Sequence, residues 1–111
     1  MKIHLTDKKC VACEGGIPPL TPDEIAVFQP QVSEWIVSKD GLSISRELTF
    51  KDFKEAVSFL NEVANVAEEE GHHPDINLHA FRKVSITLST HAISGLSEND
   101  FIVAAKIDQL V

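Results

Sequence analysis

Residues 52–90 limit the fold more than any other stretch, because two hydrophobic periods meet there across one stop signal. Asp52 with Glu55 three places on has the pattern of a helix-capping box. Phe53, Ala56, Val57, Leu60, Val63, Ala64 and Ala67 then recur at spacings of three and four, which predicts a helix with one apolar face. Gly71 is placed to end it in the left-handed conformation that glycine adopts without a Cβ penalty. Over residues 82–90 the period changes to two: Val84, Ile86 and Leu88 alternate with Ser85, Thr87 and Ser89. A one-faced helix and a one-faced strand must share a core, so the chain has to stack helix on sheet.

The flanks extend this pattern. Thr21, Pro22 and Glu24 predict a short capped helix that cannot run far beyond Pro30. Strands are expected at 35–38 and 42–50, joined around Lys39-Asp40-Gly41, since Asp-Gly is a strong hairpin signal. Leu42, Ile44, Leu48 and Phe50 share one face of the second strand, and Arg46 interrupts it. A further short strand fits at 75–79. Ser97 and Asp100 cap a last helix whose residues 101–111 are apolar around the circumference, which predicts burial against another subunit. The order implies an α+β domain, with helices on one face of a mostly antiparallel sheet. Residues 1–20 read as an irregular N-terminal extension and 21–111 as the domain.

Composition excludes several functions. One domain fits 111 residues, and 43% apolar residues suffice for a core. The net charge of −7 and the lack of a basic stripe argue against nucleic acid and anionic membranes as partners. No apolar run suits a signal peptide or a membrane span, so a cytoplasmic protein is expected. Cys10 and Cys13 form one CxxC without a matching second pair. Two reduced thiols are expected there, and no metal site.

Chemistry concentrates in residues 68–100, which hold His72, His73, His79 and His91. Histidine can give and take protons near neutral pH. Counting by twos puts His91 on the polar face with Ser85, Thr87 and Ser89, so it is not a core histidine. His72 and His73 follow a helix C-terminus, where the helix dipole favours a cation by roughly 0.3–1 kcal/mol. Glu68, four residues earlier, is expected to orient His72, and Pro74 to hold His73 extended. The plainer alternative is a solvated helix cap, with Glu69 and Glu70 on a solvated face and Trp35 in the core.

Glu68-x-x-x-His72-His73-Pro74, then Phe81, His91 and Asp100, resembles the signature of the pterin-4a-carbinolamine dehydratases. GHHPDI, VSITLSTH and GLSENDFIVAAKID agree with it, over roughly residues 21–111. The resemblance implies a four-stranded antiparallel sheet, assembly into homodimers or homotetramers, and no cofactor. It implies dehydration of 4a-hydroxytetrahydrobiopterin to the quinonoid dihydropterin, a hydro-lyase step in tetrahydrobiopterin recycling for an aromatic amino-acid hydroxylase. His72 and His91 would be the acid–base pair, His73 would bind the ring or share proton transfer, and Glu68 would orient His72. Pro74, Thr90, Ala92, Ile93 and Trp35 would border the substrate. Phe81 and Asp100 complete the motif, Asp100 also serving as a helix cap. Some members bind proteins, and some are associated with molybdopterin metabolism, so a non-catalytic pterin-binding or interaction module is the alternative.

Overall fold

The computed structural model describes residues 4–11 and 18–111, so Cys13 and most of the Gly-Pro run lie outside the described residues. Helix α1 (Pro22–Phe28) starts as its capping box predicts, with the Glu24 amide donating to Thr21 Oγ1 and the Thr21 amide to Glu24 Oε1. A 3-10 turn at Gln29–Val32 accommodates Pro30 and leads to strand β1 (Ile36–Val37). Strand β2 (Ile44–Thr49) follows, then α2 (Phe53–Glu70), β3 (Asp75–His79), β4 (Lys83–Leu88) and α3 (Glu98–Asp108). The four strands form one antiparallel sheet in the order β1-β2-β4-β3.

Register explains why helices cover only one face. Ile44 pairs with Leu88 and Leu48 with Val84, while Leu78 also meets Val84, so apolar positions coincide across three strands. The opposite face carries Ser45, Glu47, Ser85, Thr87 and Asn77 at matching positions. Arg46 lies on the core face yet is not stranded there. Its guanidinium donates from Nη1 to Asp108 Oδ1 at 2.6 Å, and the buried Trp35 indole N–H donates to the same oxygen at 2.8 Å.

Three expectations change. The buried stripe of α2 is Ala56, Phe59, Val63, Ala67 and Glu70; Phe53 is 54% exposed and Ala64 is also exposed. The spacing of three, four, four and three makes a tighter stripe, and Phe59 stacks against Phe50 with ring centroids 4.8 Å apart. Second, α3 is buried by its own chain rather than needing a partner subunit. It packs against α2, the Gln29–Val32 turn and a 3-10 turn at Leu5–Asp7, and Phe101 stacks on Phe28. Third, residues 4–11 are therefore not merely an irregular extension, because Leu5 is a fully buried core residue.

Glu70 belongs to that packing and not to a solvated face. Its Oε2 accepts from Lys106 Nζ at 2.7 Å and its Oε1 from the Cys10 amide at 2.9 Å. Burial pushes its carboxyl up, but the hydrogen bonds from Lys106 and Cys10 and the charges of Lys106 and Lys9 outweigh this and hold it below the usual 4.5. The Cys10 thiol moves the other way, pushed up to about 12 by burial and then by the Glu70 charge. A carboxyl with a lowered folded-state value stabilises the fold above its ordinary value, and that contribution disappears as the pH falls through the folded value. Glu70→Gln is expected to lower unfolding free energy by about 2 kcal/mol at pH 7. In chemical denaturation series the gap between wild type and variant should close as the pH drops below 4.5.

Candidate functional site

Two chain reversals meet at one end of the sheet. On one side α2 ends at Gly71, with φ 64°, and both the Gly71 and His72 amides donate to the Ala67 carbonyl. That doubled bond fixes where His72 leaves the helix. Three residues later β3 begins, with Asp75 opposite Thr87 of β4. On the other side the chain leaves β4 after Leu88, pairs Thr90 with Gly95 in an isolated bridge and turns through His91–Ile93. Gly95 is needed there because a Cβ would lie 2.6 Å from Pro19 Cβ.

Asp100 joins the two reversals. It is fully buried, and its Oδ1 lies 2.6 Å from His72 Nε2. Its Oδ2 accepts from Thr90 Oγ1 at 2.8 Å and from the Ser97 amide at 2.9 Å. The Thr90 hydroxyl has one proton and gives it to Asp100, so the Ser97 hydroxyl 2.8 Å away is the donor to Thr90. A carboxylate can only accept, so the network places a proton on His72 Nε2; in the neutral ring the lone pair is then on Nδ1.

The other histidines are held differently. His73 Nε2 lies 2.7 Å from Glu68 Oε2, with both side chains more than half exposed, and such surface pairs contribute little stability. Glu68 therefore meets His73, whereas the sequence reading expected it to orient His72. The left-handed Gly71 breaks the helical phase, so the i, i+4 relation does not reach His72. His91 is exposed, so it is not a core histidine, but it lies in a 3-10 turn beyond β4, where the strand alternation used to place it does not reach.

An open cleft of about 470 Å³ lies against this junction. His72, His73, Thr90, His91 and Ala92 line it, as the sequence suggested. Glu68, Pro74, Ile93 and Trp35 do not. Ile93 is buried, and Trp35 is a core residue whose N–H is taken by Asp108. Phe81 sits beyond the far end of β4, in a turn with φ 52°, 61% exposed with the Arg82 guanidinium near its ring. Sequence reasoning missed Val11, Glu70, Gly71, Ser89 and Asn99 in the cleft wall, and the tie from Asp100 to His72. A buried carboxylate at the third position of α3 could have been found from its place in the spaced motif. Nothing local marks Val11 or Asn99. Among the described residues no group of three or more His, Cys, Asp or Glu side chains is placed to hold a metal ion, and no helix is long and apolar enough to cross a membrane.

Comparison with known proteins places this arrangement. Residues 18–110 match the family described as pterin 4 alpha carbinolamine dehydratase. A relative from Alkaliphilus metalliredigens, provisionally named a pterin-4-alpha-carbinolamine dehydratase, is 50% identical over 107 residues, covering 96% of this chain and 95% of its own. One from Halorhodospira halophila, with the same provisional name, is 46% identical over 97% of this chain and 98% of its own. The crystal structure of a transcriptional coactivator/pterin dehydratase from Brucella melitensis superposes with a TM-score of 0.77 at 32% identity, covering 83% of this chain and 97% of that one. A pterin dehydratase-like protein identified as a RuBisCO assembly factor in the alpha-carboxysome gives 0.59 at 27% identity, over 69% and 88%. The chain belongs to the pterin 4 alpha carbinolamine dehydratase family.

Proposed function

We propose that the protein dehydrates a 4a-hydroxytetrahydropterin, with His72 and His91 as the proton-transfer pair. One observation carries the reading: the His72 ring is fixed by a fully buried Asp100 while His91 lines the same cleft exposed. The reaction breaks the C4a–O bond as a proton reaches the departing hydroxyl, and a second proton leaves a ring nitrogen as the C=N bond of the quinonoid product forms. Water is the only other product, so two groups that exchange protons suffice. His72 lines the cleft, and its neutral ring, with Nε2 turned to Asp100, keeps a lone pair on Nδ1, which suits removal of the ring-nitrogen proton. The imidazolium so formed faces a carboxylate rather than standing uncompensated. His91, in contact with solvent, suits delivery of a proton to the hydroxyl and its replacement from water. His73 lines the cleft beside them and binds the pterin ring.

The cleft volume lies within the roughly 300–1,000 Å³ typical of small-molecule sites. A cytoplasmic homo-oligomer recycling tetrahydrobiopterin for an aromatic amino-acid hydroxylase is the setting we infer for this activity. The assembly-factor neighbour favours a second reading, in which the fold serves as a protein-interaction module without catalysis.

Dehydration of freshly generated 4a-hydroxytetrahydropterin separates the two. Wild type should exceed the spontaneous rate, and His72→Ala and His91→Ala should each lose roughly 10²–10⁴-fold of that acceleration. An unaccelerated reaction would favour the interaction module. Asp100→Asn tests the positioning role. The Asn amide can donate toward Nε2 and reverse the tautomer, so kcat should fall at least about tenfold with KM little changed. Imidazole ¹⁵N shifts should then show the His72 proton moved to Nδ1; an unchanged tautomer would make Asp100 a structural cap only.

A further inference from the structure

The N-terminal segment of residues 4–11 contacts the site from outside the part of the chain that defines the family, which begins at residue 18. Its attachment is specific along its length. Leu5 is buried and its amide donates to Gln31 Oε1 at 2.9 Å. Lys8 pairs with Glu98 at 2.8 Å. The Cys10 amide donates to Glu70 Oε1. Asn99 then clamps Val11 from both sides: its Oδ1 accepts from the Val11 amide at 3.1 Å, and its Nδ2 donates to the Val11 carbonyl at 2.7 Å. The two clamping residues flank the catalytic tie, since Glu70 lies two residues before His72 and Asn99 directly precedes Asp100. Both line the cleft, and so does Val11.

Val11 has the features of a ligand contact. Its peptide groups are spent on Asn99, so it can offer a ligand only its isopropyl group. Val11 is 74% exposed, while the segment's other anchor, Leu5, is inserted in the core. A clamped backbone with a free apolar side chain on a cleft wall stabilises the protein little. It does give an apolar surface to whatever fills the cleft.

We propose that residues 4–11 form a strap whose end, Val11, is an apolar wall of the pterin cleft and sets substrate affinity without taking part in proton transfer. The inference rests on the dehydratase reading and assigns that site a specificity-determining residue. The strap's contact is with an apolar part of the pterin, its ring face or the hydrocarbon portion of its side chain, and not with hydroxyl groups.

Steady-state dehydration by Val11→Ala should show KM raised about 3- to 10-fold with kcat unchanged, the signature of lost uniform binding. The thermal midpoint should hold, because the side chain is exposed. Asn99→Ala should raise KM at least as much, and hydrogen exchange at the Cys10 and Val11 amides should accelerate as the clamp opens. Titration with a stable dihydropterin gives a second measure that does not depend on turnover. Unchanged KM and pterin affinity in both variants, or a fall in kcat alone, would overturn the strap. A wild type that binds dihydropterin without catalysing dehydration, with binding weakened by Val11→Ala, would overturn the catalytic reading and leave the strap standing. A wild type that binds no pterin would overturn both.

Discussion

The buried carboxylate of Asp100 is the constraint on which the site end of the fold depends. It accepts from a residue leaving α2, a residue leaving β4 and the first turn of α3, three segments that share no secondary structure. A carboxylate out of water is costly unless its lone pairs are filled, and here three donors fill them. Removing any one partner would leave that cost uncompensated, so the three segments are tied to one another through a single side chain. Helix capping and ring orientation are the same interaction. The third residue of α3 satisfies the Ser97 amide with one oxygen and reaches His72 with the other.

A second aspartate does comparable work at the opposite end of α3. Asp108 accepts from Trp35 and Arg46, binding the helix to β2 and to the residue before β1. A negative charge at a helix C-terminus is unfavourable against the dipole, and the adjacent guanidinium offsets it. Between the two aspartates α3 is buried on nearly every side, with Phe101, Ile102, Val103, Ala104 and Ile107 all in the core. An apolar helix has no rotational preference of its own. Polar ties at both ends supply one, and so determine which way Asp100 points.

Much of this was legible in the sequence because it is local. The caps at Thr21, Asp52 and Ser97, the stop at Gly71 and the alternation in β4 depend on neighbours a few places away, and each gave the right element. Failures came where a distant residue decided. Glu70 reads with Glu69 as part of a solvated face, yet Lys106 and the Cys10 backbone draw it inside. The all-round apolarity of α3 signals burial correctly but cannot say by what, and the cover is Leu5 and the chain after α1. Phe59 was overlooked because Phe53, Ala64 and their neighbours fit a helical stripe equally well. Only packing against Phe50 decides between the two. Glu68 failed for a different reason. The i, i+4 rule holds within a helix, and Gly71 ends the helix between Glu68 and His72.

The same distinction bears on the division of labour proposed for the site. His72 is held by a buried group that cannot move without unfolding the junction, while His73 and His91 are held by the backbone alone or by an exposed Glu68. Proton removal from a ring nitrogen rewards a fixed lone pair at a set angle. Proton delivery to a leaving hydroxyl, followed by recharging from solvent, rewards a ring that reaches water. On the proposed reading the chain meets both needs by placing two histidines on the two reversals and burying the carboxylate beneath only one. Moving Asp100 under His91 would require that turn to be buried, whereas His91 is exposed and lines the cleft. The asymmetry of the pair therefore follows from the geometry of the cleft.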